Sequence, residues 1–357
     1  MRNLVLALLG LALGVTGWPA AQKKQEEPVT QVLALPKEPP QAVTVDTNRL
    51  AFLVSPLSTK GLLSQQARDA VKGLLEQAKG ATVVRLRAFV AGSGDTRRVN
   101  MIVSEVFTQR RLPVPVVTTV QVGALATAGA QVVMEATMAS RKPVNPNGLA
   151  LVPAQAAEES GLAARMVPLA RKAIPKLEGA LMEAGLDGKD VVRATCFVSS
   201  VEDVGDVRNL LVASFPKAVL NLVQPERAPS HAAVACEAVA RLRAGPVKAI
   251  APPSAVALVR APRVVLAGSQ MAFGYDEENA RLAFQRLGKT LEQQSSSLRG
   301  VVSVNIYGMS RPIGERALKI GAGFFDPAGP PAATVITCVG LPALDASFAL
   351  EVVALER

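Results

Sequence analysis

Histidine and cysteine are almost missing from this 357-residue chain: His231 is the single histidine, and Cys196, Cys236 and Cys338 are the only cysteines. Histidine-rich metal centres, four-cysteine zinc sites and mechanisms that pair two histidines as acid and base are therefore excluded. Aromatic residues make up 4% of the sequence, so an interior must be built from Ala, Val and Leu. Charged residues are also sparse, at 19% against 49% hydrophobic, which excludes wholesale disorder and leaves ample material for cores. At about 150 residues per domain, the length allows two or three domains.

The charge that is present leans positive, with 39 Lys and Arg against 29 Asp and Glu, a net of +10. Those cations are scattered, with no basic cluster longer than a pair such as Arg97-Arg98 or Arg110-Arg111. Trp18 lies in the N-terminal apolar segment, which leaves Tyr275 and Tyr307 as scarce platforms for base stacking. No nucleic-acid partner is expected. A basic exported protein near an anionic cell surface explains the charge.

Residues 1–21 read as an export signal. Arg2 supplies the positive end, and Leu4 to Val15 form an apolar run too short to span a bilayer stably. Cleavage is expected after Gly17, or alternatively after Ala20 or Ala21. No later stretch reaches the ~18 apolar residues of a membrane span, so a soluble periplasmic or extracellular protein without a membrane anchor is expected. Three cysteines in an oxidising compartment cannot all pair within one chain. Each sits in an apolar, strand-like run, which favours buried inert thiols and leaves a Cys196–Cys236 bridge as the alternative.

Internal self-similarity organises the rest. Three stretches share the order amphipathic helix, buried strand, second helix ending in Phe, then a Pro-led strand pair. The helix faces are Leu63, Ala67, Ala70, Val71 and Leu74; then Met166, Ala170, Ala173, Ile174 and Leu177; then Ala280, Ala283, Phe284, Leu287 and Leu291. Strands follow from Thr82, Asp190 and Gly300. Asp95 is placed to cap the second helix of the first copy. Val-Val pairs begin at 83, 191 and 301, offsets of 108 and 110, and Phe107, Phe215 and Phe325 repeat both offsets. Two landmarks with the same two steps mark a threefold tandem repeat. The boundaries follow composition: a Pro-rich linker at 22–41, then repeats at 42–140, 141–244 and 245–357. Pro175 falls inside the second repeat's first helix and is expected to kink or break it.

The element order, the helix-end Phe, the Pro-led strand and the closing Glu-Ala of Cys236-Glu237-Ala238 resemble the Rid family of reactive-intermediate deaminases, also labelled L-PSP endoribonucleases. Val99-Asn100-Met101-Ile102 and Gly268-Ser269-Gln270, the latter at a Ser-Gly-Gln-like turn, add to the likeness. The resemblance covers residues 30 to 357 and implies an α+β fold: three tandem Rid-like, chorismate-mutase-like domains. Each would be a mixed sheet with two helices on one face and a leading hairpin. Family members are usually homotrimers with clefts at the subunit interfaces, so this chain would be a monomeric, intramolecular pseudotrimer.

The same resemblance implies a site that is missing here. The family's carboxylate-gripping Arg falls two residues after the strand-leading Pro, at Val117, Ala218 and Ala333. Its catalytic Glu falls two residues before the closing acid, at Val133, Ala235 and Ala349. Without the cation and the acid, general acid–base hydrolysis loses both contributors. The polar candidates left are Asn100, whose equivalents are Arg208 and Leu318, together with Arg227 and His231 in one hairpin and Ser269 in its turn. Asn100 reads equally as a solvated helix residue and His231 as an exposed turn histidine. Glu135, Glu237 and Glu351 read as structural, accepting backbone or cross-strand hydrogen bonds. No metal or cofactor is implied. The expected function is binding of a small ligand at inter-repeat clefts, or scaffolding, by a Rid-like protein without the usual catalytic pair. The alternative is an enamine/imine deaminase with a divergent site, and RNA binding or cleavage comes last.

Overall fold

The computed structural model describes residues 35–92, 94–161, 165–245 and 256–357. The export signal expected at 1–21, and the linker up to residue 34, lie outside the described residues. The first repeat comprises β1 (Ala42–Asp46), β2 (Leu50–Val54), α1 (Leu63–Gln77), β3 (Thr82–Ala91), α2 (Thr96–Gln109), β4 (Val116–Val122), the short β5 (Ala124–Leu125) and β6 (Val132–Ala139). The second has β7 (Leu149–Glu159), α3 (Met166–Glu183), β8 (Val191–Val198), α4 (Val204–Ser214), β9 (Val219–Gln224) and β10 (Ala232–Arg241). The third has β11 (Ala257–Val259), β12 (Arg263–Phe273), α5 (Glu277–Glu292), β13 (Val301–Gly308), α6 (Arg311–Gly321), β14 (Ala332–Thr337) and β15 (Ala346–Leu355).

Local chemistry sets the helix ends. Asp95 caps α2 by accepting from the Arg97 N–H, and Asp276 caps α5 by accepting from the Asn279 N–H. The first helix of each repeat closes on a left-handed residue: Lys79, Gly185 and Ser295. Two helix expectations need correction. α3 runs unbroken through Pro175, because the ring lies on the exposed side, where solvent can take up the carbonyl left without a donor. α6 ends at Gly321 and not at Phe325; a tight turn intervenes, with the Phe324 N–H bonded to the Gly321 carbonyl, and Phe325 is still buried.

Three sheets result, ordered β2-β6-β3-β4, β11-β7-β10-β8-β9-β5 and β1-β12-β15-β13-β14. In each, the strand before the second helix runs parallel to the strand after it, as β3 does to β4. Edge strands cross the repeat boundaries read from composition. β1 pairs with β12, β11 with β7, and β5 with β9, so the expected hairpin within each repeat does not form. In the first repeat a 3-10 turn at Thr47–Arg49 follows β1, and β2 joins another sheet. The Thr47 N–H anchors that corner to the Pro262 carbonyl of the third repeat.

One face of each sheet packs on its own two helices, as Leu74 of α1 and Phe107 of α2 do with Met134 of β6. Each fully buried Leu, Ile or Phe there contributes about 1.5–3 kcal/mol of transfer free energy. The opposite faces meet one another. Phe89, Phe197 and Tyr307, one from each repeat, share a cluster, and Val84, Val239 and Val264 share a second. Cys196 lies directly opposite Cys236 on neighbouring antiparallel strands, and the two form a disulfide. This corrects the expectation of inert thiols at those positions. Cys338 is free and buried, and burial pushes its thiol up to about 12.

Gly148 shows how tightly one crossing is made. Its φ is +98°, and a Cβ there would lie 2.1 Å from the Val259 carbonyl oxygen of β11. Gly148→Ala is expected to destabilise by about 1–3 kcal/mol, read as a lower urea midpoint at unchanged m-value.

Candidate functional site

The repeat offset brings three sets of side chains together where the sheets meet. Arg85, Arg193 and Ser303 occupy equivalent positions on β3, β8 and β13; so do Arg87, Thr195 and Asn305. The second set lies directly opposite Glu135, Glu237 and Glu351 on the closing strands. All three acids are at most 4% exposed. Arg87 donates to Glu135 at 2.5 and 2.9 Å and to Glu237 at 2.7 Å, tying the first repeat to the second. Asn221 and Thr195 of the second repeat donate to Glu135 at 2.7 and 2.8 Å. Asn305 of the third donates to Glu237 at 2.8 Å. Arg85 stands 3.3 Å from Glu351.

Burial alone would push the Glu135 carboxyl up, but Arg87, then Arg193, Asn221 and Thr195 outweigh it and hold it at about 2. Glu237 is lowered too: burial opposes, and Arg87 and Arg193 prevail. The Tyr307 hydroxyl is pushed well up by burial, so the ring stays neutral. The acids therefore accept from side chains of neighbouring repeats. They form a buried ion network in which catalytic exposure is absent.

Among the described residues, three of the clefts between repeats each place the second helix and its parallel strand from one repeat against the opening strand of another. Between the first and third repeats, a cleft of 540 Å³ brings together Asn100, Val117 and Ser269. The Asn100 carbonyl oxygen accepts from the Thr119 hydroxyl, so its amide N–H groups are available to a ligand. Ser269 lies in β12 at a register shift between Ala267 and Gln270, not in the turn expected there. The Gly268 N–H is already taken by the Gln41 carbonyl. Residues 37–41 cross this cleft's edge as a strap: the Lys37 N–H donates to Thr108, and Thr290 donates to Gln41 at 2.9 Å.

Between the first and second repeats, a cleft of 660 Å³ holds Val133 and Ala218, with Arg208 at the Asn100-equivalent position. Between the second and third, a narrower cleft of 210 Å³ holds Ala235, His231, Glu158 and Arg311. His231 Nε2 is 3.6 Å from Glu158, whose carboxylate also accepts from Arg311 at 3.2 Å. Arg227, expected beside His231, is exposed and outside that lining, so the hairpin does not unite the two. Ala333 packs toward the helices and Ala349 is fully buried among the three-repeat cluster.

Sequence reasoning missed Arg286 of α5, which lines the first–third cleft with Lys289. Among the described residues, no carboxylate lines that cleft. The Arg286 guanidinium sits over Phe273, bonds the Met271 carbonyl at 2.7 Å, and keeps a buried Nε without a partner. Among the described residues, no group of three His, Cys, Asp or Glu could hold a metal, and no helix is long and apolar enough to cross a membrane.

No family model matches this sequence, and no curated protein does. Solved structures do. A YjgF/YER057c/UK114-family protein from Mycobacterium tuberculosis matches at 22% identity and TM-score 0.24, covering 28% of this chain and 83% of its own. Yeast Mmf1 matches at 24% identity and TM-score 0.25, covering 30% of this chain and 90% of its own. A Rid-family protein from Yersinia pestis matches at 21% identity and TM-score 0.24, with the same coverage of 30% and 90%. Each of these matches spans 28–30% of this chain.

Proposed function

We propose that this chain is an exported, covalent pseudotrimer of Rid-like repeats that binds small anionic molecules in its inter-repeat clefts and does not hydrolyse imines. One observation carries the reading. All six positions where the Rid resemblance implies the Arg and Glu of the catalytic pair hold Val or Ala, and four of them, Val117, Ala218, Val133 and Ala235, line the clefts. Of the three clefts, the first–third one suits an anion best, with Arg286, Lys289, Asn100 and Ser269 converging and no acid in its wall. Fusion of three copies removes the entropy cost of assembling separate chains. Export is supported by the sequence of residues 1–21 and by the Cys196–Cys236 disulfide, which belongs to an oxidising compartment.

The test supplies purified protein with enzymatically generated 2-aminoacrylate and follows keto-acid release. The expected result is no acceleration over buffer. Ligand-observed NMR with 2-oxobutyrate as the probe is expected to show binding that Arg286→Ala removes; no binding to either protein overturns the reading.

The second reading, a divergent deaminase, has one observation in its favour. The second–third cleft keeps His231, Glu158 and Arg311 within 3.2–3.6 Å contacts at its mouth. Keto-acid release that is accelerated by the wild type and lost in His231→Ala would establish it in place of the first.

A further inference from the structure

The buried network borders a 40 Å³ cavity lined by Arg85, Arg193, Ser303, Thr334, Glu237 and Glu351 together with apolar side chains such as Phe52, Leu151 and Val264. That space holds one ion of chloride size or about two or three waters. Its hydrogen-bond accounting is lopsided. Both Glu237 oxygens are in use: one accepts from Arg87 at 2.7 Å and Arg193 at 3.3 Å, the other from Asn305 at 2.8 Å. Glu135 is consumed by Arg87, Asn221 and Thr195. Arg87, Arg85 and Arg193 balance the three glutamates in number, but Arg87 sits between two of the acids. That leaves Arg85 and Arg193 facing the cavity with Glu351 as the less committed carboxylate.

The donors there are only partly spent: Arg193 gives one N–H to Glu237 and stacks over Phe52. Arg193 is 9% exposed, yet its Nε is buried without a partner. Arg85 is 7% exposed and meets only Glu351, at 3.3 Å. Thr334 already accepts from the Ala154 N–H at 2.9 Å, so its hydroxyl proton is free to turn inward. Burial first, then Arg87 and Arg85, lower the Arg193 guanidinium from its usual range, against Glu135 and Glu237, which raise it.

We propose that this central cavity is a binding site for one small inorganic monoanion of chloride size, held by Arg85, Arg193 and the hydroxyl of Ser303. The three side chains come from the same position in each repeat, so the ion joins the three sheets where they meet. It is a different site from the three clefts described above.

Crystals of the wild-type protein grown in sodium bromide are expected to show an anomalous peak in this cavity, within contact of both guanidinium groups. Thermal unfolding in sodium chloride is expected to give a higher Tm than in sodium gluconate at equal ionic strength. At ten times its dissociation constant the ion would raise the folded-to-unfolded ratio about 11-fold. Ser303→Asp supplies the negative charge covalently, and its Tm is expected to be the same in both salts. Water without an anomalous signal in the bromide crystals overturns the proposal, and so does an equal wild-type Tm in the two salts. A Ser303→Asp protein that still responds to chloride also overturns it.

Discussion

Arg87→Met is expected to cost about 3–5 kcal/mol of unfolding free energy, the largest loss of any single substitution considered for this chain. The magnitude follows from what the substitution leaves behind. Arg87 is the main counter-charge of both Glu135 and Glu237, each at most 4% exposed, and it spans two repeats. Removing it strands two carboxylates in a medium that penalises charge, with Arg193 at 3.9 Å from Glu135 as the remaining cation. Arg87→Lys is expected to recover only part of the loss, since a point charge cannot reach both acids in the forked geometry of a guanidinium. Urea unfolding measures both variants, and an Arg87→Met value within 1 kcal/mol of wild type (roughly the worth of an exposed pair) would show the network to be dispensable.

The same network sets an acid limit. Glu135 is held at about 2 in the folded state, below the usual carboxylate value of 4.5. A depressed folded pKa gives stability that is complete above the unfolded value and is lost as pH falls through the folded one. Wild-type stability is therefore expected to decline between about pH 4.5 and pH 2, with the Glu237 carboxyl, lowered by the same arginines, adding in the same direction. In Arg87→Met the carboxyls move upward, and the acid transition is expected at higher pH.

How much of this was legible in the sequence depended on whether the property was periodic. The offsets of 108 and 110 located the buried strands and the Phe that follows each second helix, and the first helices were legible from their apolar faces, because a repeated hydrophobic face is visible without a partner. The same offsets applied to Arg87 lead to Thr195 and Asn305, so the network had a signal: two arginines in an otherwise apolar strand, Val83 to Val90. That signal needs tertiary information to interpret, since Arg85 and Arg87 are paired by acids from other strands and other repeats. The clefts were legible only through the family likeness, which placed Asn100, Val117 and Ser269. Arg286 was not, because on α5 it falls beside the apolar stripe, where a cation reads as solvated. The crossing of β1, β5 and β11 into neighbouring sheets was invisible for a related reason. A short edge strand carries no record of which sheet it joins; for β1 and β2 the chain turns between sheets at Thr47–Arg49.

The disulfide is the other place where pairing overrode local reading, and it carries a comparably large expected effect. Cys196 and Cys236 each alternate with apolar neighbours as a buried thiol would, yet register sets them face to face on β8 and β10. The bridge closes a loop of sequence separation 40, which in the chain-entropy account removes about 4 kcal/mol of unfolded-state freedom. Cys196→Ala with Cys236→Ala is therefore expected to destabilise by about 2–4 kcal/mol, with less than the full figure if the reduced chain keeps some structure. The loss should fall on the second repeat's sheet first, since β8 and β10 are central neighbours there. Thiol counting checks the premise separately. Folded protein should take up no alkylating reagent, because Cys338 is buried and its thiol stands at about 12. Denatured, unreduced protein should take up one equivalent, and reduced protein three. Three equivalents without reduction would mean that the bridge does not form. The second repeat would then owe its stability to the Arg87 and Arg193 contacts to Glu237, and the lead of Arg87→Met over the cysteine change would widen.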